Sequence, residues 1–253
     1  MSQLTIFVTG ATSGFGAAIA KRFIERGDRV VATGRRQDRL DELSRRLGTN
    51  LLPRQLDVRD RAAVLTCVEA LPEAFASVDV LVNNAGLGLG LDKAHQANLD
   101  DWDQMIDTNV KGLTYVTRAI LPGMVARGRG HVVNLGSIAG RYPYPGGNVY
   151  GATKAFVDQF SLNLRADLLS TPVRVTNLEP GLCGGTEFSS VRFGGDESRA
   201  DKVYEGTQPL TSEDIAEAVL WVTTLPPHMN VNGMQLMPVC QAFSPFAIDR
   251  KKT

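Results

Sequence analysis

Cysteine and histidine are both scarce in this chain of 253 residues. The three cysteines, Cys67, Cys183 and Cys240, are odd in number, far apart and form no CxxC. That excludes a disulfide framework and suits a reducing, cytoplasmic setting. The three histidines, His95, His131 and His228, are equally scattered, so no metal site assembles from the sequence and no metal is expected. Long apolar runs are missing: no stretch approaches the roughly 18 residues that a membrane span needs. A basic leader is missing too, since Met1-Ser2-Gln3 runs straight into the apolar Leu4–Val8. That segment reads as a first strand and not as a signal peptide. Neither charge is in excess. With 27 basic and 27 acidic residues the formal net charge is zero, whereas a nucleic-acid partner would favour a basic face. Low-complexity runs, Pro-rich linkers and internal repeats are absent as well. What remains is a soluble globular chain, 43% hydrophobic and 21% charged, long enough for one domain with a large core.

Short β-rich runs alternate with longer helical patterns from end to end. Strands are predicted at Leu4–Val8, Arg29–Thr33, Leu51–Leu56, Val78–Val82, His131–Leu135, Arg174–Leu178 and Met234–Met237. Several are almost wholly apolar, as strands buried on both faces of a parallel sheet must be. Between them, Phe15, Ile19 and Phe23 recur at i, i+4, i+8, with Gly27 as a stop. One long helix is predicted over Asp101–Ala126 and another over Val149–Leu168. This alternation implies βαβ units with right-handed crossovers, hence an α/β doubly wound sheet of the Rossmann type. A single domain is expected over 1–253, with a dinucleotide-binding part to about 135 and a catalytic part beyond it. Gly181–Leu210 is polar and Gly-rich and breaks the rhythm, as a lid over a ligand would.

The first strand ends in Thr9-Gly10-Ala11-Thr12-Ser13-Gly14-Phe15-Gly16 and passes directly into a helix. Glycines there permit a tight turn and close backbone approach to a pyrophosphate, and the helix N-terminus directs free N–H groups at the anion. The spacing Gly-x3-Gly-x-Gly differs from the commoner GxGxxG, so the strand–turn–helix context carries the reading. At the end of the second strand, where an acidic residue would accept from a ribose 2′-hydroxyl, stand Arg35 and Arg36. Two guanidiniums suit a 2′-phosphate, which favours NADP over NAD. The alternative is that they are solvated residues opening an arginine-rich helix.

Tyr150 and Lys154 lie at i and i+4, on one helix face. A phenol of pKa about 10 is a weak base near neutrality, and an adjacent cation favours its ionised form. Ser137, just beyond the fifth strand, falls at the sheet edge where open α/β folds bind ligands, beside which its hydroxyl would hold a substrate oxygen.

With these residues in view, the chain resembles the short-chain dehydrogenase/reductase family over nearly all its length. The resemblance rests on TGATSGFG at 9–16, LDV at 56–58, NNAG at 83–86, Asn109, Ser137, YGATK at 150–154 and PG at 180–181, in that order. It implies a seven-stranded parallel sheet with NADP across the strands' carboxyl ends. Tyr150 would be the acid/base, Lys154 would lower its pKa and bind the nicotinamide ribose, and Ser137 would orient the substrate. Asn109 would hold a water relay to Lys154. Asp57 and Val58 would border the adenine, and the backbone of Asn83, Asn84, Ala85 and Gly86 would line the cofactor ribose. Pro180, Gly181, Cys183, Thr186 and Phe188 would close over the nicotinamide and diphosphate.

A narrower likeness lies in GRRQDRL at 34–40, NNAGLGLG at 83–90, MIDTNVKGL at 105–113, YPGGNVYGATKAF at 144–156 and EPGLCGGTEFSSVRF at 179–193. These resemble the NADP-dependent 3-hydroxy acid dehydrogenases, also known as serine or allo-threonine dehydrogenases. The likeness implies oxidation of the β-hydroxyl of serine, allo-threonine, 3-hydroxyisobutyrate or 3-hydroxypropionate, and a homotetramer. A substrate carboxylate needs a cation or a nest of N–H groups, for which Arg141, Arg192 and Gly184-Gly185 are open alternatives. The rival readings are another NADPH-dependent reductase, such as one for 3-oxoacyl carrier proteins or sugars, and a non-catalytic NADP sensor.

Overall fold

The computed structural model describes residues 3–243, so the extremes of the expected 1–253 domain lie outside the described residues. Seven strands form one parallel sheet in the order β3-β2-β1-β4-β5-β6-β7. They are β1 (Thr5–Val8), β2 (Arg29–Gly34), β3 (Leu51–Gln55), β4 (Val80–Asn83), β5 (Gly130–Leu135), β6 (Val173–Pro180) and β7 (Gly233–Leu236). All seven expected strands are present, their ends shifted by at most two residues. The helices are α1 (Gly14–Glu25), α2 (Gln37–Leu47), α3 (Arg61–Glu69), α4 (Glu73–Ala76), α5 (Leu99–Ile106), α6 (Leu113–Arg127), α7 (Asn148–Asp167), α8 (Phe188–Arg192), α9 (Glu197–Lys202) and α10 (Ser212–Thr224).

The period-2 alternation of each strand feeds two cores. In β1, Ile6 and Val8 pack with Ile19 and Phe23 of α1 and with Ile215 and Val219 of α10. Phe7, between them, points to the other face, against Val116 and Ile120 of α6 and Leu164 of α7. Each of these fully buried side chains contributes about 1.5–3 kcal/mol by leaving water. The strand order reverses between β1 and β4, and a doubly wound sheet opens its ligand crevice at such a switch.

Two elements differ from expectation. The long helix foreseen over Asp101–Ala126 is interrupted by a π-helical turn at Asp107–Gly112. Gly112 is pressed so closely on the loop after β3 that a Cβ there would lie 2.6 Å from Val58 Cγ2. The turn also swings Asn109 inward, to the Leu87 backbone. The lid segment is partly ordered into α8 and α9. Its two ends are fastened by backbone bonds, Gly184 N to Leu210 O at 2.9 Å and Leu210 N to Leu182 O at 3.0 Å.

Candidate active site

At the carboxyl end of β1 the chain turns at Gly10, whose φ of +66° an L side chain rarely adopts. Gly16, one turn into α1, is packed so tightly that a Cβ would stand 2.3 Å from Gly10 O. A second segment seals this turn. Thr9 Oγ1 accepts from Asn84 N at 3.0 Å and Ala85 N at 2.9 Å. Asn84 Nδ2 in return donates to Thr9 O at 2.9 Å and Gly10 O at 3.0 Å. The motifs at 9–16 and 83–86 are therefore one structure, held by reciprocal side-chain to backbone bonds.

Ser13 precedes α1 without capping it by its side chain, so the first-turn N–H groups face the cleft beside Thr12, Ser13 and Gly14. That is the electrostatic setting an anion takes. Arg35 and Arg36 line the same end of the cleft, together with Asp57 and Val58. Asp57 is bound to Arg59, whose guanidinium holds its carboxyl below the usual range. Arg36 makes hydrogen bonds to Thr12 Oγ1 and Ser13 Oγ and an ion pair with Glu187.

At the other end, helix α7 presents Tyr150 and Lys154, both buried. The Lys154 Nζ donates to Leu135 O at 2.8 Å and lies 5.9 Å from the Tyr150 ring centre. Burial pushes the Lys154 ammonium down to about 8 and the Tyr150 phenol up to about 12. On the phenol, the neighbouring Ser137 hydroxyl and the positive field of Arg192 act against burial. In these surroundings Tyr150 is an acid that holds its proton at neutral pH, and releasing it needs added positive charge. Ser137 Oγ also accepts from Ala139 N at 3.1 Å, fixing the hydroxyl at the end of β5.

Above Tyr150 lies the lid. Phe188 packs on its ring at 5.6 Å between centres. The Arg192 guanidinium sits 5.0 Å from the Tyr150 centre and 5.2 Å from that of Phe188. Its Nη2 donates to Tyr144 Oη at 2.6 Å, while its Nε is buried without a partner. Of the alternatives for an anion, Arg192 alone lines the cleft. Arg141 is committed elsewhere, with Nε on Glu179 at 2.8 Å and Nη2 on Asp158 at 3.2 Å. Gly184 is buried and Gly185 is exposed, both off the cleft.

One cleft of about 710 Å³ joins both ends. It is lined by Gly10, Thr12, Ser13, Gly14, Phe15, Arg35, Arg36, Asp57, Val58, Asn84, Ala85, Gly86, Ser137, Tyr150, Lys154, Pro180, Gly181, Cys183, Thr186 and Phe188. Three expected residues do not reach it. Gly16 is buried under the turn and acts through packing. Asn83 still belongs to β4, its backbone paired in the sheet with Asn134 and its side chain donating to Thr117 Oγ1 and Asn134 Oδ1 at 2.9 and 2.8 Å. Asn109 is buried, its amide spent on Leu87 N, Leu87 O and Thr153 Oγ1 at 2.8–3.0 Å. Burial raises the Cys183 thiol to about 12, which marks it as a packed, unreactive side chain. Sequence reasoning missed Tyr144 and Glu187, although both lie inside the quoted stretches 144–156 and 179–193. Among the described residues, no group of three His, Cys, Asp or Glu is arranged to hold a metal, and no helix is long and apolar enough to cross a membrane.

The short chain dehydrogenase family model matches residues 4–193. The NADP-dependent 3-hydroxy acid dehydrogenase YdfG of Salmonella typhi is 61% identical, over 98% of this chain and all of that one. Sulfoacetaldehyde reductase 2 of Chromohalobacter salexigens is 52% identical, over 97% of this chain and 98% of its own. A solved closed form of serine dehydrogenase complexed with NADP+ superposes with a TM-score of 0.97 at 58% identity, covering 98% of this chain and all of that one.

Proposed function

The chain belongs to the short-chain dehydrogenase family, and from that premise we propose that it is an NADP-dependent dehydrogenase of small 3-hydroxy acids. The observation that carries this reading is the convergence of Tyr150, Ser137 and Arg192, a phenol, a hydroxyl and a guanidinium, at one end of a cleft whose other end is an uncapped helix N-terminus. NADP fits that other end: Gly10 and Gly14 admit a diphosphate, and β2 is followed directly by Arg35 and Arg36, with no carboxylate before Asp38. When bound, NADP accepts or returns the hydride.

The protein's part is binding and proton transfer. Arg192 anchors the substrate carboxylate with its free Nε, and Ser137 Oγ positions the 3-oxygen beside the Tyr150 Oη. In reduction, Tyr150, held protonated by burial, gives its proton to the forming alkoxide. In oxidation it takes that proton back, the step that Lys154 and Arg192 favour by stabilising the phenolate. Lys154 also offers its ammonium to the nicotinamide ribose. Asn109, foreseen in a water relay, has its side-chain amide holding Thr153 of α7 against the Gly86–Leu87 turn, which leaves its backbone carbonyl for that relay. The apolar Leu99, Val125, Phe156, Leu162 and Leu169, exposed on or beside α5, α6 and α7, support a homotetramer, which light scattering tests. Three free cysteines support a cytoplasmic setting.

The deciding experiment follows NADPH absorbance with L-serine, L-allo-threonine, 3-hydroxyisobutyrate and 3-hydroxypropionate, with NADP+ or NAD+. NADP-preferring turnover, lost in Tyr150→Phe, is the expected result. A sulfonate presents an equivalent anion to Arg192, and given the relative at 52% identity, isethionate belongs in the same panel. Silence on every acid beside rapid turnover of bulky neutral ketones would overturn the substrate class.

A further inference from the structure

We propose that Glu187 is a specificity-determining residue, its carboxylate competing with the 2′-phosphate of NADP for the Arg36 guanidinium. The proposal rests on the reading of Arg36 as a ligand of that phosphate. Arg36 Nη1 donates to Glu187 Oε1 at 3.0 Å and Nη2 to Oε2 at 2.7 Å, so the end of the fork is filled by one carboxylate. The second hydrogen of Nη2 serves Thr12 Oγ1 and Ser13 Oγ, each at 3.1 Å. Of five guanidinium N–H groups, the two left are the Nε–H and one on Nη1, which point to different sides. No edge of Arg36 is open to two phosphate oxygens at once, and bidentate recognition requires that Glu187 or the hydroxyls withdraw.

Glu187 is the partner that yields. The pair is open to water, 41% exposed on Arg36 and 46% on Glu187, so its rupture costs little. A phosphate carrying about −1.5 to −2 charges outcompetes a carboxylate carrying −1. A 2′-hydroxyl carries no charge and leaves the pair intact. The exchange also reaches the substrate end, because Glu187 directly precedes α8, the helix that carries Phe188 and Arg192 against Tyr150. A residue of the lid thereby reads which cofactor lies at the far end of the cleft.

Calorimetric titration of the full chain with adenosine 2′,5′-bisphosphate and with AMP tests this directly, because both probes lack the nicotinamide. Glu187→Gln is expected to bind the bisphosphate about two- to fivefold more tightly, with AMP unchanged and the gain shrinking at high salt. Unchanged or weaker bisphosphate binding overturns the competition. So does an equal shift for both nucleotides, which would mark a general disturbance of the lid. Arg36→Met separates the premise: if it keeps the wild-type preference for the bisphosphate over AMP, Arg36 is not the phosphate ligand and the proposal falls with it.

Discussion

The two walls of the cleft are built by opposite means. The phosphate wall, residues 9–16 and 83–86, consists of backbone held at near-contact distances, with Gly16 against Gly10 O and Asn84 bonded across to Thr9 and Gly10. The lid wall consists of long side chains, Glu187, Phe188 and Arg192, on and just before a five-residue helix whose segment is closed on itself by the bridge between Cys183 and Leu210. The first wall offers N–H groups that cannot move without breaking the turn. The second offers charges that can change partners, as Arg192 with an unused Nε and Glu187 on Arg36 both illustrate. The cofactor's diphosphate is thus met by rigid backbone, and its 2′-phosphate and the variable substrate by replaceable side chains.

That contrast can be broken at three levels. The largest effect comes where the walls meet: Tyr150→Phe should lower kcat by about 10²–10⁴-fold while leaving NADP+ affinity by calorimetry unchanged, since only the proton-carrying oxygen is lost. An equal loss of cofactor affinity would instead make the phenol part of the binding wall. Next is the lid. Arg192→Met keeps the bulk over Tyr150 and removes the charge, so kcat/KM for 3-hydroxy acids should fall by roughly 10- to 150-fold, the value of one charged hydrogen bond. Turnover of an uncharged ketone should fall much less. Equal losses on both would reduce Arg192 to a packing role. Smaller again is the phosphate wall's Gly16→Ala. Its methyl must displace backbone, so the fold should lose about 1–3 kcal/mol in urea unfolding and bind NADP+ more weakly, with substrate preference unaltered.

The same contrast governs how much could be foreseen from sequence. The strands, the glycine turn and the Ser137/Tyr150/Lys154 group depend on period, spacing and chain order, which are local properties. Asn83 was within reach too: letting β4 run one residue further takes its backbone into the sheet beside Asn134. The rest depends on contacts between distant segments. The π-turn at Asp107–Gly112 exists because Gly112 meets Val58 and Asn109 meets Leu87. Arg141 and Arg192 look alike in sequence, and only Glu179 on β6 and Asp158 on α7 take Arg141 out of contention. Tyr144 gains its role only when α8 brings Arg192 to its hydroxyl.

The smallest expected effect at neutral pH separates the sheet from the site it carries. Strand β5 has Ser137 just beyond one end and a buried histidine, His131, near the other. His131 Nε2 lies 2.8 Å from Thr176 Oγ1, and burial with the nearby Arg174 charge holds the ring neutral down to about pH 3. In the unfolded chain the same imidazole titrates near 6.5. Below that pH the unfolded state binds a proton that the folded state refuses, so the contribution of His131 to stability is constant above about pH 7 and falls as the pH drops from 6.5 toward 3. At pH 5 the loss from this one group amounts to about 2 kcal/mol. His131→Gln preserves a polar side chain toward Thr176 without titrating there, so its urea midpoint should change less than the wild type's between pH 7.5 and 5. Because His131 stands at the end of β5 remote from the cleft, the variant's kcat profile over the same range should follow that of the wild type. A matching acid limb in both stabilities would move the acid sensitivity of the fold to other groups. A shifted kcat profile would show that the sheet passes its protonation on to the site.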